Sequence, residues 1–144
     1  MTNDKETVWT KIGFQQTVED VIKHGPSARV GIGPRVSTEP VIQALAQIDT
    51  GAAGCGISPR LSKRLNLDPI DTGEIHEAGR EPITTSIFSV RLFTPVMDIE
   101  LDVAGLPSLA PPHDILIGRD ILARFRLLVD FTNGVTQLHF KNDP

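Results

Sequence analysis

Apolar and polar residues alternate along Ala28-Arg29-Val30-Gly31-Ile32-Gly33, a period of two that predicts a strand. A longer, more apolar stretch from Val41 to Ile48 predicts a second strand that runs into Asp49. Upstream, Thr17-Val18-Glu19-Asp20 has the form of a helix N-terminus. Val18, Val21 and Ile22 follow at helical spacing, and Gly25-Pro26 is a stop. Residues 1–27 therefore read as a partly disordered N-terminal extension with one short helix, and 28–144 as the main domain. Ser58-Pro59-Arg60-Leu61, with Leu65 and Leu67, predicts another short helix, capped by Ser58 with Pro59 at its first position.

Residues 68–82 are rich in turn formers, with glycines at 73 and 79. Two strands follow, Thr84 to Phe93 and Val96 to Val103, rich in β-branched and aromatic residues. A polar, Gly-containing tip flanked by strands reads equally as a mobile lid or as an ordinary surface hairpin. Leu106 to Pro112 is a Pro-rich loop. His113 to Leu122 reads as a compact apolar strand that ends at Gly118, then a short helix to about Arg124. Leu127 to Phe131 and Val135 to Phe140 flank Asn133-Gly134, a terminal hairpin signal. Many short strands with one or two brief helices predict an all-β domain, a closed barrel or sandwich.

The 144 residues suffice for a sizeable core, and 40% hydrophobic with 22% charged content is that of an ordinary globular protein. A net charge of -4 offers no basic stripe, which argues against a nucleic-acid or anionic-membrane partner. No apolar run approaches the ~20 residues of a membrane span. The polar Met1 to Glu6 lacks an apolar signal core, so a cytoplasmic location is expected. The single cysteine excludes an internal disulfide.

Candidate chemistry concentrates at Asp49-Thr50-Gly51. A carboxylate at the end of a buried strand needs hydrogen bonds or a shared proton to offset its burial. The small residues Ala52, Ala53, Gly54, Cys55 and Gly56 follow it, then the helix. The tripeptide recurs at Asp71-Thr72-Gly73, but no long apolar strand leads into that copy and no small-residue loop follows. It is expected to be a turn. Cys55 is expected to act as a small buried hydrophobe. The four histidines show no metal-ligand spacing, and there is neither a phosphate-binding glycine loop nor a Gly-x-Ser-x-Gly elbow. No metal or cofactor is expected.

The setting of Asp49-Thr50-Gly51, together with Ile115-Leu116-Ile117-Gly118-Arg119-Asp120-Ile121-Leu122 further along, resembles the small retropepsin-like aspartic proteases over roughly residues 28–140. The resemblance implies a homodimeric endopeptidase in which Asp49 of each subunit forms a catalytic dyad. In it Thr50 would brace the two loops, and Gly51 would complete the catalytic triplet. Ala52, Ala53 and the hairpin tip at Gly79 would meet a peptide or protein substrate, while Pro112, His113 and Leu116 would line side-chain pockets. Ala53 stands where many viral members carry an acid that pairs with the arginine of the second motif, so Arg119 either finds another partner or has none. A dimeric binding or assembly module that kept the fold without catalysis is the alternative.

Overall fold

The computed structural model describes residues 9–141, so the polar start, Met1 to Glu6, lies outside the described residues. Ten strands and three short helices follow in the order β1 (Trp9–Gln15), α1 (Val18–His24), β2 (Ser27–Pro34), β3 (Ile42–Ile48), β4 (Gly56–Ile57), α2 (Pro59–Arg64) and β5 (Asp71–Ile75). The second half holds β6 (Ile83–Phe93), β7 (Asp98–Gly105), β8 (Ile115–Ile117), α3 (Arg119–Leu122), β9 (Phe125–Asp130) and β10 (Val135–Lys141).

The main sheet runs β2-β3-β8-β4-β7-β6-β5, and an additional pairing of β2 with β6 closes its first six strands into a barrel. Closure depends on the length of β6. Its first half pairs with β5 and its last four residues pair along the same edge with β2, while β7 occupies the opposite edge. The alternation in β2 and β3 points Ala28, Val30, Ile32, Ala44, Ala46 and Ile48 inward, where they meet Phe88, Val90 and Leu92 of β6 and Ile99 and Val103 of β7. Leu61 and Leu65 of α2 and Ile121 and Leu122 of α3 belong to the same core. The fold is mostly β, as the pattern predicts, with a barrel as its main body.

Three local expectations change. The stretch before residue 28 supplies more than a helix, because β1 pairs antiparallel with β10 along its whole length. Together with β9 these strands form a second sheet, in the order β1-β10-β9. That sheet is tied to the barrel by Gln16, whose Oε1 accepts from Ser27 N–H at 3.0 Å and whose N–H donates to Gly134 O at 2.7 Å. Pairing with a distant strand leaves no local signature, which is why the pattern did not disclose β1.

Asp71-Thr72-Gly73 is not a turn but the start of β5, paired with Ile87, Ser86 and Thr85 of β6. The long β-branched strand beside it overrides the local turn preference of the three residues. Finally, the β9–β10 register pairs Asp130 with Val135, so the hairpin loop has four residues rather than the two of a tight Asn-Gly turn. The Asp130 carboxylate accepts from Thr132 N and Oγ1 and from Asn133 N and Nδ2. Hydrogen bonds from Asn133 and Thr132 hold its pKa below the usual carboxylate value.

Candidate active site

Asp49 is positioned by a parallel pairing. β3 lies beside β8 with Ile48 opposite Ile117, and Asp49 N–H continues the ladder by donating to Ile117 O at 2.9 Å. The chain then turns at once, with Ala52 N–H on Asp49 O at 3.2 Å, and Gly51 N–H donates to Asp49 Oδ1 at 2.8 Å. A Cβ on Gly51 would lie 3.1 Å from that same carboxylate oxygen, so glycine is the residue that admits the close approach. Thr50 and Gly51 face outward and are exposed, Ala52 is half-buried, and Ala53 is exposed.

The start of α3 clamps this loop from the other side. Arg119 N–H donates to Ala52 O at 2.8 Å and Asp120 N–H to Ala53 O at 3.2 Å. The Asp120 carboxylate accepts from Cys55 N at 3.2 Å and from Cys55 Sγ at 3.1 Å, as well as from Ile121 N–H at 2.8 Å. Cys55 is 5% exposed, buried as expected, but its thiol is hydrogen-bonded rather than a purely apolar filler. Burial pushes its thiol pKa well up, against the opposing Gly118 N–H donated to its sulfur, so it is held as the neutral thiol. Arg119 does find another partner: Nη1 donates to Thr50 O at 2.9 Å.

The second Asp-Thr-Gly copy has none of these supports. Asp71 is exposed on β5, the edge strand of the sheet outside the closed barrel, and among the described residues its carboxylate accepts only from the neighbouring Thr72 N–H at 2.8 Å. The shared tripeptide therefore occurs in two unlike settings, and only Asp49 sits in a loop built around it.

The remaining residues singled out in the sequence divide. The tip between β5 and β6 carries Gly79, exposed, at φ 74° with open space around it. Glu77 of this tip accepts from Ser108 Oγ of the Pro-rich loop at 2.6 Å and pairs with Arg80 at 3.1 Å. Leu116 is half-buried at the middle of β8, opposite Gln47 and Gly56, and Pro112 is exposed. His113 does not point outward with its neighbour. Its ring is buried, with Nε2 2.7 Å from Ser27 Oγ and the His24 ring edge-on at 6.2 Å between centroids. Burial and the facing His24 hold its pKa below the usual imidazole value, while Asp114 pulls the other way.

Sequence reasoning missed Ser27, Ser108 and Arg60. Arg60 reaches from α2 to the Asp114 carboxylate and the carbonyls of Leu109 and His113, which holds the Pro-rich loop against the helix. Their partners are tens of residues away, so no local spacing reports them. Among the described residues no group of three His, Cys, Asp or Glu could hold a metal ion, and no helix is long and apolar enough to cross a membrane.

No protein-family model matches this chain, and no curated protein matches it by sequence. Its fold is similar to that of a retropepsin-like aspartic protease from Rickettsia conorii, with a TM-score of 0.61 over 92% of this chain and 96% of that one. The two sequences are 14% identical, so the likeness is one of fold. The class of architecture is thereby defined as retropepsin-like.

Proposed function

We propose that the chain is an aspartic endopeptidase that acts as a homodimer, with Asp49 of each copy sharing one proton across a two-fold axis. The observation that carries this reading is the loop itself. A carboxylate stands at the end of a barrel strand with one oxygen held by Gly51 N–H, and the loop's outer face, Thr50 and Gly51, is exposed. The acid of the second motif, Asp120, is engaged by Cys55 and Ile121, which supports a reading in which the partner acid comes from a second copy.

Two such carboxylates divide the work of amide hydrolysis. The ionised one takes a proton from a water as its oxygen attacks the carbonyl carbon. The protonated one donates to the carbonyl oxygen, and the tetrahedral intermediate then collapses as a proton is delivered to the leaving nitrogen. Thr50 braces loop against loop. Ala52 and Ala53 border an extended peptide, the Gly79 tip covers it, and Leu116 and Pro112 flank its side chains. His113, buried against Ser27, acts on substrate only through the loop it anchors.

The test is hydrolysis of a mixed peptide library by wild type, Asp49→Asn and Asp71→Asn, with the oligomeric state measured by sedimentation velocity. Loss of cleavage in Asp49→Asn alone, with the dimer retained, is expected. A folded dimeric wild type that cleaves nothing would instead assign a binding or assembly module, and a strictly monomeric active protein would refute the shared dyad.

A further inference from the structure

We infer that Arg119 is a positioning residue for the Asp49 carboxylate and acts through the Thr50–Gly51 peptide group. This rests on Asp49 being the catalytic acid. One planar amide carries both contacts: its carbonyl accepts from Arg119 Nη1 at 2.9 Å, and its N–H donates to Asp49 Oδ1 at 2.8 Å. In a trans amide the C=O and N–H point in opposite directions from a rigid plane, so holding one end aims the other. A cationic donor on the oxygen also polarises the amide and makes its N–H a stronger donor, as in any chain of linked hydrogen bonds.

Two further observations favour this role over that of a solvated surface charge. Ala53, two residues beyond Gly51, offers no carboxylate, and among the described residues no ion pair holds Arg119. Its own backbone N–H is fixed on Ala52 O at 2.8 Å, so the side chain starts from a point already tied to the loop it serves. The carboxylate must keep its orientation while its protonation state changes during turnover. An amide clamped from behind adds to that constancy, beyond the turn bond from Ala52 N–H to Asp49 O at 3.2 Å.

The experiment compares wild type, Arg119→Ala and Arg119→Lys by two readouts, the amide resonance of Gly51 in the folded protein and the steady-state kinetics of peptide cleavage. In Arg119→Ala the Gly51 amide proton is expected to move upfield. On loss of one charge-assisted hydrogen bond, kcat is expected to fall about tenfold. KM stays within about twofold, because the lost contact does not touch substrate. Arg119→Lys should restore part of both. If the alanine variant does not fold, Arg119→Gln is read in the same way. A Gly51 resonance and kcat unchanged in the charge-free variant would overturn the inference. A wild type that cleaves nothing, yet whose Gly51 resonance responds to loss of Arg119, would uphold the coupling and remove the endopeptidase reading instead.

Discussion

Replacing Gly118 by alanine would test how tightly the two motifs are locked. The backbone there, φ -99° and ψ -172°, is ordinary extended geometry that alanine adopts freely, so any penalty must come from contact. An added Cβ would lie 2.5 Å from Gly54 O, 2.7 Å from Gly54 C and 2.8 Å from Ala52 O. All three are main-chain atoms of the Asp49 loop, and no rotamer change moves them aside. Ordinary contact begins at 3.4 Å, so the loop and the start of α3 must separate by about 0.9 Å. The bonds from Arg119 N to Ala52 O, now 2.8 Å, and from Asp120 N to Ala53 O, now 3.2 Å, would not survive that shift. Overpacking of this kind costs about 1–3 kcal/mol, and two weakened hydrogen bonds add about 1 kcal/mol each. A loss of about 4 kcal/mol lowers Tm by roughly 13 °C in a chain of this size. Thermal unfolding followed by circular dichroism measures it, and on the proposed endopeptidase reading peptide cleavage should fall as Asp49 is displaced. Gly79→Ala is the contrasting control: φ is 74° but nothing lies within 4 Å, so the cost is only about 1 kcal/mol of backbone strain. A Gly118→Ala protein with a Tm within about 2 °C of wild type would refute the steric argument.

Other consequences follow from the contacts around the site. Because burial and His24 lower the pKa of His113, its unfolded form binds protons first, so stability is fully present above the ordinary imidazole value of 6.5 and declines as pH falls below it. The His24, Asp114 and Ser27 groups face it, and His113→Asn should flatten the fall of Tm measured between about pH 7 and pH 5. Ser58 caps α2 by accepting from Leu61 N–H at 3.1 Å and donates to Asp114 Oδ1 at 2.6 Å, fully buried. Ser58→Ala should therefore cost about 1–3 kcal/mol by denaturant titration, and a loss under about 0.5 kcal/mol would show that the cap is dispensable. Ser108→Ala frees the Glu77 tip from the Pro-rich loop. Its exposed contact contributes little to global stability, so Tm should hold while hydrogen exchange across residues 76–82 quickens. Unchanged exchange there would mean that the tip is held by other contacts.

The sequence by itself determined the parts whose signals are local. Alternation in Ala28 to Gly33 and the apolar stretch to Ile48 marked β2 and β3, and Ser58-Pro59 marked the start of α2 within a residue. The small-residue loop after Asp49 and the Gly118-Arg119-Asp120 segment singled out the two halves of the candidate site. What only the tertiary structure decided depends on partners far apart in the chain. β1 exists as a strand because β10 pairs with it, and Asp71-Thr72-Gly73 is extended because β6 templates it, although the same three residues form a turn at Asp49. His113 is turned inward by Ser27 and His24, an orientation that a Pro-rich loop does not encode. Arg119 reaches the Thr50 carbonyl only because the parallel pairing of β3 and β8 sets Ile48 beside Ile117, bringing residues 69 apart in sequence within a hydrogen bond. Periodicity and capping are properties of a few consecutive residues, whereas register and closure are set by which strand arrives alongside, and that is settled by the packing of the whole barrel.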